Sequence, residues 1–63
     1  MRLSDFWERM NAAFGPHADS LAGNHVFTQL GGRTVRQALA EGEPTRDVWR
    51  GVCEGLEVPA RLR

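Results

Sequence analysis

The chain has 63 residues, eight of them Arg and none Lys, and its eight Asp and Glu bring the formal net charge to zero, so no net field draws the molecule as a whole to nucleic acid or to an anionic membrane. A chain this short forms one domain at most and buries little apolar surface relative to what its unfolded form exposes, which leaves partner or oligomer contact as a source of extra support. The single Cys53 excludes an internal disulfide and fits a reducing, cytoplasmic setting; no apolar run nears the ~18 residues of a membrane helix, and the N-terminus lacks the basic stretch and apolar block of a secretion signal.

Ser4, whose hydroxyl can cap free helix amides, and the acids Asp5 and Glu8 predict a first helix. Phe6, Trp7, Met10, Ala13 and Phe14 supply its apolar stripe, Asp5 and Arg9 pair across an exposed turn, and Gly15-Pro16 ends it. Between Pro16 and Leu30 the pattern predicts two short turns of helix. The second is capped by Asn24, turns Val26, Phe27 and Leu30 inward and stops at Gly31-Gly32. A hairpin through His25–Gln29 is the competing reading, and it offers no second strand to pair with.

Thr34 and Gln37 have the spacing of a capping box, opening a short helix with Val35, Ala38 and Leu39 inward and Gly42 at its close. Glu43-Pro44-Thr45 then places proline at the start of a last helix, where its missing N–H is harmless. Val48, Trp49, Val52, Cys53 and Leu56 line one side of that helix, while Asp47, Arg50 and Glu54 pair on the other. Val58-Pro59 stops it. The reading is an all-α fold, a small orthogonal bundle of about four short helices over residues 1–59, with the first and last helices joining aromatic stripes and residues 60–63 left as a disordered tail.

Across Met1 to Pro59 the chain resembles a family of short actinobacterial proteins classed as a domain of unknown function. The residues that carry the resemblance are Met1-Arg2-Leu3-Ser4-Asp5-Phe6-Trp7, Phe14-Gly15, Leu30-Gly31-Gly32-Arg33-Thr34-Val35, Ala38-Leu39, and Asp47-Val48-Trp49-Arg50 with Val52-Cys53-Glu54. The resemblance brings no assigned activity or catalytic residue. The family's genes often lie near the gene for the recombinase RecA, and the resemblance thereby implies a link with DNA recombination or repair.

Thr34 to Glu54 can also be laid on a helix-turn-helix template, with Ala38 at the close approach, Gly42 in the turn and Val48 at the packing position. Glu43 and Gly51 depart from it, since both fall where apolar side chains belong. On this template Arg46 and Arg50 read bases and Arg33 and Arg36 contact phosphates, yet Asp47, Glu54 and Glu57 on the same helix repel DNA. A helix pair with self-paired, solvated faces accounts for the pattern better.

His17, His25 and Cys53 are isolated in sequence and lack the close pairs of a zinc site. Gly31-Gly32-Arg33-Thr34 lacks the lysine and flanking strand of a phosphate-binding loop. No catalytic site, metal or cofactor is expected. The function that remains is a non-enzymatic, cytoplasmic interaction module that binds a protein partner through an aromatic and arginine surface. A nucleic-acid binder using Arg33, Arg36, Arg46 and Arg50 is the alternative.

Overall fold

The computed structural model describes residues 1–63. Helix α1 spans Leu3–Phe14, and the backbone N–H of Arg2 donates to the Asp5 carboxylate at 3.3 Å. The cap position is therefore Arg2 and not Ser4, which lies inside the first turn: Asp5, three residues on from Arg2, engages the backbone N–H outside the helix. Gly15, at φ 56°, ends α1 as predicted, and Pro16 sits in a 3-10 turn, Gly15–His17, that leads into α2, Ala18–Asn24.

Asn24 closes α2 where the sequence predicts that it opens a helix; its side-chain amide donates to the Ser20 hydroxyl at 3.3 Å. The chain then runs extended to Phe27, whose N–H donates to the Arg33 carbonyl at 3.0 Å, while the Gly32 N–H returns to the Phe27 carbonyl at 2.9 Å. This single antiparallel bridge is all that forms of a hairpin. It closes around a 3-10 turn, Thr28–Leu30, followed by two left-handed glycines, Gly31 (φ 68°) and Gly32 (φ 78°). Successive side chains of an extended segment point to opposite sides. Phe27 is accordingly buried, and Val26, predicted to turn inward, is 56% exposed.

Helix α3, Val35–Ala40, opens with the predicted capping box: the Gln37 N–H donates to the Thr34 hydroxyl at 3.2 Å, and the Thr34 N–H donates to the Gln37 side-chain oxygen at 2.9 Å. It closes in a Schellman arrangement, with Glu43 N–H on the Ala38 carbonyl, Gly42 N–H on the Leu39 carbonyl and Gly42 at φ 89°. Helix α4, Thr45–Gly55, ends in a related way, with Val58 N–H on the Cys53 carbonyl. Here the left-handed position is held by Glu57 at φ 53°, the one residue other than glycine with positive φ.

All regular structure apart from the bridge is helical, and the fold is all-α. It is less regular than a bundle of about four comparable helices. Only α1 and α4 exceed seven residues, α3 has six, and much of the intervening chain packs as 3-10 turns. The Thr28–Leu30 turn lies against α4 because α4 carries glycine there. A Cβ at Gly51 would stand 2.7 Å from Leu30 Cδ2, and one at Gly55 would stand 2.8 Å from Phe27 Cδ2. The absence of a side chain at Gly51, which breaks the helix-turn-helix pattern, is thus what seats the preceding segment.

The core joins Phe6 and Met10 of α1, Ala18 and Ala22 of α2, Phe27 and Leu30, Val35 and Ala38 of α3, and Val48, Trp49, Val52 and Cys53 of α4, with Val58. Phe6 meets Trp49 edge to face at 6.1 Å, which joins the first and last helices as their stripes predict. The last residues do not hang free as predicted. Ala60–Leu62 forms a 3-10 turn, Leu62 packs on the core, and the Arg63 carbonyl accepts from Arg9 at 2.5 Å and from the Trp49 indole N–H at 3.2 Å. The tail lacks the apolar content to fold alone, and α1 and α4 supply the surface it needs.

Two stability changes follow. Gly55→Ala gains about 1 kcal/mol of helix propensity but drives a methyl into the buried Phe27 ring, an overpacking cost of about 1–3 kcal/mol. A net loss near 1 kcal/mol is expected in urea melts, and a gain would contradict the packing. Glu57→Gly relieves a left-handed residue and should raise stability by about 0.5–1 kcal/mol; Glu57→Ala should give no such gain.

Candidate functional site

The i, i+4 spacing of Arg46 and Arg50 puts both on one face of α4, next to the Trp49 edge. On the facing side, α1 contributes Arg9, and the docked tail contributes Arg63. Together with Met1 and Cys53 they line an open groove of about 370 Å³. Four of its seven lining residues are Arg and none is acidic, in a chain whose charges otherwise balance. Its floor is Trp49 and Cys53, both nearly inaccessible.

The arginines are held in two ways. Arg33 donates through Nε to the Leu30 carbonyl at 2.7 Å and meets Glu41 at 2.8 Å and Glu43 at 3.5 Å. Arg36 pairs with Asp19 and lies 5.1 Å over the Trp7 ring. Both are internal staples: Arg33 ties the bridge to the α3 terminus, and Arg36 ties α3 to α2 and α1. In the groove, by contrast, two arginines are positioned by backbone carbonyls. Arg9 is held on the Arg63 carbonyl at 2.5 Å, and the Arg63 Nε donates to the Val58 carbonyl at 2.8 Å. The Val58 carbonyl orients the Arg63 guanidinium without cancelling its charge, whereas the oxygen that holds Arg9 belongs to the last residue, where a free chain end is a carboxylate. Arg50 has a carboxylate partner, Asp47 at 2.9 Å, on a side chain 68% exposed.

Of the four arginines singled out by the helix-turn-helix template, Arg46 and Arg50 lie at the groove, and Arg33 and Arg36 do not. Arg9 and Arg63 were not legible as site residues. The local spacing pairs Arg9 with Asp5, whereas Asp5 engages the Arg2 N–H and Arg9 reaches a residue 54 positions away. Arg50 pairs with Asp47 and not also with Glu54.

Burial pushes the Cys53 thiol up from its ordinary value, and the nearby Arg63 and Arg9 pull it back only in part. It stays a protonated, packed thiol at neutral pH. His25 lies edge-on against Phe27 at 4.4 Å, and no group of three or more His, Cys, Asp or Glu side chains is placed to hold a metal ion. A second shallow depression, at the corner of α1 and α2, is lined by Ala13, Phe14, His17, Ser20 and Leu21 and gathers no comparable charge. No helix is long and apolar enough to cross a membrane.

No curated protein and no solved structure matches the chain. Residues 1–61 match the family described as a protein of unknown function (DUF3046), which covers the groove except for Arg63. The chain belongs to that family.

Proposed function

We propose that the chain is a non-enzymatic interaction module of the cytoplasm, which binds a protein partner through the groove between α1, α4 and the tail. One observation carries this reading: four arginines, of which Arg50 alone is paired with a side-chain carboxylate, surround an apolar floor of Trp49 and Cys53. Arginine and aromatic residues are enriched where protein interfaces concentrate their energy. Partner contact would also add burial that a 63-residue domain lacks on its own. The lone, packed Cys53 supports a reducing compartment.

The nucleic-acid reading, with its link to recombination or repair, keeps only Arg46 of its contact set free of a carboxylate, since Arg33, Arg36 and Arg50 are each ion-paired within the chain. Trp49 offers no open ring face on which a base could stack, being 4% exposed.

Tagged protein and an Arg46→Glu/Arg50→Glu variant, each incubated with nuclease-treated lysate of the source organism, separate the readings. Both substitutions are at the surface and should leave the melting temperature within a few degrees. A protein held by the native chain and reduced about tenfold or more by the variant is the expected result. Capture that is unaffected by the variant, or that vanishes with nuclease, contradicts it.

A further inference from the structure

We infer that the groove receives a short acidic peptide segment of a partner protein, its carboxylates meeting Arg9, Arg46, Arg50 and Arg63 while a neighbouring apolar side chain rests on the exposed Met1. The inference rests on the interaction-module reading and names the chemistry of the partner. Its basis is charge complementarity. The chain has equal numbers of basic and acidic residues, yet half of its eight arginines gather at one depression that no Asp or Glu side chain lines, Asp47 standing beside it on Arg50.

A guanidinium has five N–H donors in a fixed fork that suits a carboxylate. Arg9 donates to the Arg63 carbonyl, and the Arg63 Nε donates to the Val58 carbonyl. Backbone oxygens thus fix where these two side chains stand, so little further ordering is needed when an anion arrives. Arg46 has no ion-pair partner within the chain.

The groove's dimensions and floor favour a peptide over a polyanion. About 370 Å³ accommodates a few side chains, and the exposed Met1 side chain gives an aliphatic group a contact that a phosphate backbone would leave unused. Asp47 and Glu54 on α4 would repel an extended run of phosphates. A short segment meets fewer of these carboxylates, Asp47 beside Arg50 being the one it does not escape.

The test uses the full chain labelled with ¹⁵N and three probes: a capped peptide Glu-Asp-Leu-Asp-Glu, its neutral analogue Gln-Asn-Leu-Asn-Gln, and a short DNA duplex. The acidic peptide should shift the Trp49 indole and Cys53 amide signals, and the neutral analogue should bind at least about tenfold more weakly. Arg46→Gln/Arg50→Gln should weaken the acidic peptide about tenfold, while Arg61→Gln, outside the groove, should not. Raising salt from about 50 to about 300 mM should reduce binding several-fold.

Equal binding of the neutral analogue overturns the inference. So does a duplex that moves the groove signals when the acidic peptide leaves them still, or a concentration dependence without peptide, which would place a second copy in the groove. If the acidic peptide fails while groove-dependent protein capture persists, the acidic chemistry is wrong and the module reading stands. Failure of both removes the module reading as well.

Discussion

Trp49 is the residue on which both the core and the groove depend. Its ring meets Phe6 edge to face at 6.1 Å, and this contact closes α1 on α4. Its indole N–H reaches the Arg63 carbonyl at 3.2 Å, which draws the tail across the same seam. A phenylalanine could fill the first role and not the second. In a chain with so little apolar surface to bury, a side chain that packs at one end and donates at the other joins three distant segments at once.

The same carbonyl accepts from Arg9, so α1 and α4 both hold the tail through one oxygen. The arrangement divides the arginines by the kind of acceptor that orients them. Arg33 and Arg36 face carboxylates within the fold, Arg50 faces Asp47 at the groove, and Arg9 and Arg63 are oriented by the backbone oxygens of Arg63 and Val58. Zero net charge therefore conceals an uneven surface.

Much of the fold could be read from local chemistry. The Thr34–Gln37 box, the Gly15 stop, the Gly42 turn and the stripe of α4 each depend on neighbours within a few positions, and each formed as read. Asn24 through Leu30 did not. Asn24 is as suited to a helix end as to its start, and the extended Phe27 segment is fixed by Arg33 and by the glycines of α4, contacts that no local pattern announces. The site was half legible for the same reason: Arg46 and Arg50 share a helix face, whereas Arg9 and Arg63 meet only because the tail docks.

The central claim, that Trp49 joins core to tail by two separable contacts, is tested most directly by Trp49→Phe followed by NMR. The ring contact should survive, so the signals of Val48, Val52 and the Phe6 ring should remain those of a folded core. Loss of one hydrogen bond should cost about 1 kcal/mol, and the amide signals of Leu62 and Arg63 should move toward those of an undocked segment. Tail signals that stay in place, or a core that unfolds along with them, would contradict the account.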